Sequence, residues 1–319
     1  MPFIIYFLLF FLTYFVRFTY IKIIRGGITL DYYCFPTITG DLSVFLDLDQ
    51  YTNSNERGFY ERTQKSVMLA KKQGKLLLYD LRTKTFIDSD GKTVNIKGKE
   101  IFPRCKIQES EELLNAIEKN GGNSIVSYND SKMIENWFKY IKIKRKFIQT
   151  TFGALKQHLN FYDLNYGNHF FMKTVKKQFS NKCGIITVFD EPNLYAFANN
   201  RMYSVNGLIS DDSTVLVTDT LSIVHDDYGE REWRVFVVKN KILCISRKSD
   251  DLVEIDPSTV EKIQHMINRI SQIADFPSSY SVDFFEYYDP ADEDEVIFDI
   301  CEFNSIEASG VYRNNDLVC

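Results

Sequence analysis

The most informative pattern of apolar and polar positions lies in the last sixty residues. Ser281 to Tyr288 and Val296 to Asn304 each read as a strand, joined by an acidic turn around Pro290 that carries Asp289, Asp292, Glu293, Asp294 and Glu295. Just upstream, Val260, Ile263, Ile267 and Ile270 recur at helical spacing behind Asp256 and Pro257, a helix start. Further strands are expected over His169 to Val175, Gly184 to Phe189, Val215 to Thr218, Glu232 to Val238 and Ile242 to Ser246. A hairpin turn runs through Lys239, Asn240 and Lys241. This half of the chain is mostly antiparallel material.

From about Gly26 to Gln149 strand and helix signals alternate, as in an α/β module. Leu76 to Tyr79 and Glu100 to Arg104 are compact strands, and Phe86 and Ile87 are expected to pair with Thr93 to Ile96 across a turn at Asp90 and Gly91. Ser110 is the expected cap of a helix carrying Leu113, Leu114 and Ile117, with Gly121 beyond its end. Asp130 opens another that buries Met133, Ile134, Trp137 and Phe138. The basic run Lys139 to Lys146 marks a change of module; most such runs are solvated faces.

Composition narrows the classes. A chain of 319 residues with 45% hydrophobic content is long for one core and natural for two modules. A net charge of −5 with evenly scattered Lys and Arg argues against a nucleic-acid partner. Six dispersed cysteines without CxxC spacing, and four histidines, argue against zinc and a disulfide framework, and for a reducing, cytoplasmic compartment. Residues 1–25 stand apart: Pro2 to Val16 carry no charge and are membrane-competent, yet fifteen helical residues span about 22 Å against a hydrocarbon core of about 30 Å. Membrane contact through residues 2–24 and a buried first strand are both open readings.

Chemistry enters through polar residues on apolar strands. Glu302 interrupts Val296, Ile297, Phe298, Ile300, Cys301 and Phe303, and a carboxylate there needs a partner or a cation. Strict alternation puts Glu302 and Asn304 on one face, where Asp283 can join them from the neighbouring strand, and puts Asp299 on the other face. Three such oxygen donors suit Mg2+. Lys173 sits in the apolar strand FFMKTV and can neutralise phosphate oxygens; Lys176 and Lys177 follow, and Gln178 to Gly184 could close as a flap. Glu232 and Arg234 share one strand face, where an anionic ligand could sit or the two could simply pair.

The order of the segments FFMKTV, LVTDT, EWRVFV, SVDFF and CEFN resembles that of the ATP-grasp superfamily, from about Gln149 to the C-terminus. KTVKK and EWRVFV are most similar to a clade marked by one Arg and two Lys. The resemblance implies an α/β (α+β) class: an ATP-grasp fold of two α+β subdomains over 149–319, preceded by a smaller α/β pre-grasp domain over 26–148. It implies ATP and Mg2+ as cofactors. Lys173, with Lys176 beside it, would contact the phosphates, backbone around Val217 and Thr218 would hold the adenine edge, and Asp219 would lie near the ribose. Glu232 would belong to the same nucleotide site. Asp283, Glu302 and Asn304 would ligate Mg2+, Arg234 would touch phosphate or the acyl-phosphate, and Arg234 or Arg247 would substitute for a missing arginine at the tetrahedral intermediate.

Three positions depart from the pattern. Asp219 stands where Glu is usual, Ser281 where related ligases often place Arg, and the loop after Lys173 is poor in glycine. The expected function is an ATP-dependent ligase joining a small-molecule or peptide carboxylate to an amine, or to a thiol, through an acyl-phosphate. A nucleotide-binding module without ligation and a membrane-tethered regulatory protein or scaffold stand as alternatives. Arg104 is a candidate carboxylate anchor or a structural ion pair.

Overall fold

A computed structural model describes residues 30–47, 49, 63–64, 66–157, 169–175, 184–187, 210–248 and 253–309. The first sheet contains β1 (Tyr32–Thr37), β2 (Leu76–Asp80), β3 (Thr85–Ile87), β4 (Glu100–Pro103) and β5 (Asn123–Ser124), in the order β3-β2-β1-β4-β5. β1 runs parallel to β2 and β4, β5 runs parallel to β4, and β3 is antiparallel to β2. The central strands are buried on both faces, so they read as nearly continuous apolar runs. Cys34, Leu77 and Tyr79 meet Leu113 and Ile117 on one face, while Phe35, Leu76 and Leu78 meet Phe45, Val67 and Ala70 on the other. The expected pairing of Phe86–Ile87 with Thr93–Ile96 shrinks to one bridge, Ile87 with Thr93, on the outer edge of β3, where the Val94 N–H also donates to the Phe86 carbonyl at 2.8 Å.

Helix α1 (Ser43–Leu46) is one turn; α2 (Ile107–Lys119) and α3 (Tyr128–Glu135) cover the sheet. Neither begins where Ser110 and Asp130 suggest. α2 starts behind Lys106, whose backbone N–H donates to the Glu109 carboxylate at 3.2 Å, so Ser110 lies inside the helix. α3 is capped by Ser127, and Asp130 closes the reciprocal capping box from the third position. Trp137 and Phe138 follow in a 3-10 turn (Trp137–Lys139).

Two antiparallel four-stranded sheets follow. One contains β6 (Phe147–Thr151), β7 (His169–Thr174), β8 (Gly184–Thr187) and β9 (Thr214–Asp219), in the order β6-β9-β7-β8, with α4 (Phe152–Gln157) after β6. A short hairpin, β10 (His225–Asp226) and β11 (Gly229–Glu230), leads to the other sheet. That sheet contains β12 (Glu232–Val238), β13 (Lys241–Arg247), β14 (Tyr280–Asp289) and β15 (Asp292–Asn304), in the order β13-β12-β14-β15. Lys239 and Asn240 both have positive φ, 51° and 60°, which lets a two-residue turn follow the twist of β12 and β13. Between β13 and β14 runs α5 (Pro257–Ile270), where the Asp256 carboxylate accepts from the N–H groups of Ser258 and Thr259. Its Ile263, Ile267 and Ile270 form one core with Trp233, Val235, Val237, Val282, Phe284, Ile300 and Phe303.

The sheet's two faces are sorted by an irregularity in β15. Asp283 pairs with Glu302 and Phe284 with Ile300, so Cys301 is an extra, unpaired residue. This bulge reverses the alternation upstream of it: Phe298, Ile300 and Phe303 all pack into the core, whereas Asp299, Glu302 and Asn304 share the opposite face. Asp299 is therefore on the same face as Glu302, against the expectation from strict alternation.

A buried polar seam ties the first sheet to the end of β15. Ser110 of α2 and Ser131 of α3 donate to one oxygen of Glu307, at 2.8 and 2.6 Å, and Arg104 donates to the carbonyls of Ile306 and Ser309 at 3.1 and 2.6 Å. Around it Phe236, Val238 and Ile306 pack with Phe102, Leu114, Ile125 and Val126. Burial pushes the Glu307 carboxyl above its ordinary 4.5, against the lowering by the two serine hydroxyls. Among the described residues no helix is long and apolar enough to cross a membrane, and the apolar segment 2–24 lies outside them.

Two consequences are measurable. Phe303 lies 5.2 to 5.3 Å, ring to ring, from Phe276, Trp137 and Tyr280. Phe303→Ala is expected to cost about 3–5 kcal/mol in chemical denaturation; a loss below about 1 kcal/mol would contradict this packing. Glu307 keeps its proton to higher pH when folded than when unfolded, so its contribution is complete below 4.5 and is lost as pH rises through the folded value. Melting temperatures of the wild type and Glu307→Gln should therefore diverge in favour of the variant from acid pH to about pH 8. Parallel curves would show that Glu307 does not titrate this way.

Candidate functional site

Four side chains meet where the face of β12, β14 and β15 turns away from α5. Register puts Arg234 of β12 opposite Asp283 of β14, and Asp283 opposite Glu302 of β15. The Arg234 guanidinium grips Asp283 with both prongs, Nε to Oδ1 at 2.7 Å and Nη2 to Oδ2 at 2.6 Å. Lys173, on β7 of the neighbouring sheet, reaches Glu302 Oε2 with Nζ at 2.6 Å. Asn304 donates through Nδ2 to Asp283 Oδ2 at 3.2 Å and to Glu302 Oε1 at 3.0 Å. Two carboxylates, two cations and an amide thus form one network, in which Lys173 and Glu302 are 129 residues apart.

Burial gives the network its strength. The Asp283 side chain is 3% exposed and that of Arg234 17%, while Lys173 and Glu302 stand at 15% and 23%. Burial raises the Asp283 carboxyl above its ordinary value, Arg234 pulls it back, and the nearby Glu302 carboxylate adds to the rise. The polar patch lies between apolar neighbours. Phe236 and Ile306 flank one end, and Phe285, Tyr287 and Ile297, packed with Leu221, Ile223 and Cys301, flank the other.

Several neighbours carry no motif of their own. Lys248 bridges Glu230 at 2.5 Å and Glu232 at 2.8 Å; burial works against its charge, but these two bonds raise its pKa above the ordinary lysine value. Arg145, from the basic run, lies 5.1 Å over the Phe285 ring and donates to the Cys301 carbonyl. Asp299 accepts from the N–H of Lys144 at 2.9 Å, and burial raises its pKa. Burial likewise pushes the Cys301 thiol up to about 12. The clue to Arg145 was its place just before β6, where the chain re-enters a sheet.

The remaining expected residues are distributed unevenly. Val217 and Thr218 lie in β9, which is paired on both sides, opposite Ile148 and Met172 and opposite Phe147 and Phe171. Their backbone groups are spent in the ladders, so the first unpaired backbone comes after Asp219, the end of the strand. Arg247 pairs opposite Trp233, on the face away from Asp283, and donates to Asp226 of the β10–β11 hairpin. It is not brought to the cluster. Glu232 bonds Lys248, and Arg104 serves the polar seam beside Glu307. Ser281 is fully buried opposite Phe236 and Asn304, its hydroxyl without a hydrogen-bond partner among the described residues. Lys176 lies outside the described residues.

Asp283, Glu302 and Asn304 fit a magnesium ion by their chemistry. Two carboxylates and an amide oxygen are hard donors, and Mg2+ completes its shell with water and substrate phosphate. Among the described residues no three of His, Cys, Asp or Glu are placed to hold a metal ion by themselves. Here the third donor would be the Asn304 amide, which must turn its oxygen toward the carboxylates.

No protein-family model matches the chain, and no curated protein matches it significantly. Solved structures do. D-alanyl-alanine synthetase A from Vibrio cholerae superposes with a TM-score of 0.50 at 12% identity, covering 91% of this chain and 92% of that one. The VanG D-Ala:D-Ser ligase from Enterococcus faecalis gives 0.49 at 12% identity, over 91% and 94% of the two chains. The ATP-grasp ligase PsnB, solved with a minimal precursor, Mg and ADP, gives 0.48 at 12% identity, over 89% and 92%. With its two antiparallel sheets behind a mostly parallel one, the chain has the ATP-grasp fold, in the mixed α and β class.

Proposed function

We propose that the protein is an ATP- and Mg2+-dependent ligase, joining a carboxylate to an amine through an acyl-phosphate. The observation that carries this reading is the meeting of Lys173 with Glu302, Asp283 and Asn304 across two sheets. Phosphoryl transfer needs alignment and charge neutralisation more than a protein nucleophile. Lys173, with Lys176 following it, would bind phosphate oxygens, and Asp283, Glu302 and Asn304 would hold Mg2+. When bound, the metal would neutralise charge on the phosphates. Arg234, beside the carboxylates, would face the acyl-phosphate, and its planar fork suits phosphate oxygens. The adenine edge would be read by unpaired backbone beyond Asp219, next to Leu221, with Asp219 near the ribose. Glu232, held by Lys248, would orient the wall behind Arg234.

The substrates would be a small-molecule or peptide carboxylate and an amine. The buried, reduced thiols of Cys34 and Cys105 favour a reducing compartment, hence the cytoplasm. A second reading, a module that binds nucleotide without ligating, is favoured by Ser281. An arginine there would supply charge to the tetrahedral intermediate, and a buried serine hydroxyl does not.

Saturating Mg–ATP should raise the melting temperature by about 3–6 °C at a hundred times its Kd. Glu302→Gln should lower turnover by about a hundredfold or more while keeping the fold. Unchanged turnover in this variant refutes the metal assignment. ADP release that depends on an added carboxylate and amine, with products read by mass, supports ligation; Mg–ATP binding without such release leaves the second reading standing.

A further inference from the structure

The carboxylates that would hold the metal already have counter-charges built into the chain. Asp283 spends both oxygens on Arg234, and Glu302 spends Oε2 on Lys173 and Oε1 on Asn304. A divalent cation taking these two carboxylates competes with a guanidinium and an ammonium for the same lone pairs. Two positive side chains cannot stay against a metal ion at such short range without strong repulsion. Once displaced, they need an anion, and both are too buried for water alone to satisfy cheaply.

We propose that Lys173 and Arg234 act as an exchange latch, so that the site admits a divalent cation and a polyphosphate together and resists either one alone. This rests on the proposed nucleotide site and deepens it by naming what the site selects: a metal–polyphosphate complex. The exchange leaves no charged side chain without a counter-charge. Before binding, two carboxylates face two cations; afterwards, the carboxylates face the metal, and Lys173 and Arg234 face phosphate oxygens. Because Lys173 belongs to β7 and Glu302 to β15, breaking their bond also releases one tie between the two antiparallel sheets.

The latch predicts reciprocal gains when either side of it is removed. With Mn2+ as the probe and no nucleotide, read by the electron paramagnetic resonance of the free ion at about pH 8, Arg234→Gln and Lys173→Gln should each bind the metal about tenfold tighter than the wild type. With inorganic tripolyphosphate as the probe and a chelator removing metal, Glu302→Gln should bind about tenfold tighter than the wild type, since its loss frees Lys173. Melting curves check folding; should Arg234→Gln fail to fold, Lys173→Gln, on the other sheet, carries the metal arm. Metal binding no tighter in the folded cation variants, or tripolyphosphate binding no tighter in Glu302→Gln, overturns the latch. The ligase reading is judged separately, by substrate-dependent ADP release in the wild type. It can fail while the latch stands, or stand while the latch fails.

Discussion

Two carboxylates on the inner face of a sheet must be charge-balanced, and this constraint governs the arrangement around them. Removing an ion from water costs several kcal/mol even after relaxation, and only a well-aligned counter-ion offsets that. Asp283, almost wholly buried, receives the most directional partner available, a two-pronged guanidinium from the adjacent strand. Glu302, nearer the edge, receives an ammonium from a different sheet. Asn304 then joins the two carboxylates with its amide hydrogens. The network is locally neutral, so an apolar sheet can carry it.

Such a network needs a surface on which charged and apolar residues do not compete, and the bulge at Cys301 supplies it. Without the extra residue, Ile300 and Glu302 would share a face, and either the core would lose an isoleucine or the cleft would lose a carboxylate. With it, Ile300 and Phe303 both pack against the α5 core while Asp299 and Glu302 both look outward. The bulge falls beside the carboxylates, where a one-residue change of phase has its greatest effect.

This explains which parts of the molecule were legible. Strands and the long helix were, because period-two and period-3.6 patterns survive in β14, β15 and α5, and Asp256–Pro257 is an unambiguous start. Asp283 and Glu302 were brought together correctly because an antiparallel hairpin with an acidic turn leaves few registers. Asp299 was assigned to the wrong face because Cys301 is itself apolar and leaves no mark in the pattern. Ser110 and Asp130 were misjudged as caps for a related reason: polar residues in a first turn resemble caps, while Lys106 has no capping signature. Ion-pair partners were the least legible. Lys248 finds Glu232 across a hairpin, and Arg145 emerges from a basic run that looked solvated. That Val217 and Thr218 sit in a strand paired on both sides is visible only in the sheet order.

Ser281 shows how packing limits where a positive charge can sit. Where the resemblance leads one to expect an arginine, the chain has a fully buried serine, opposite Phe236, whose ring belongs to the core that joins the first sheet to the last. A guanidinium at 281 would have to enter that core or displace it. The positive charge on this face belongs to Arg234, one strand over and opposite Asp283, with 17% of its side chain exposed. From there it neutralises the Asp283 carboxylate with both prongs. The packing between the first and last sheets therefore constrains which strand can supply the positive charge, and through it the chemistry the cleft can perform.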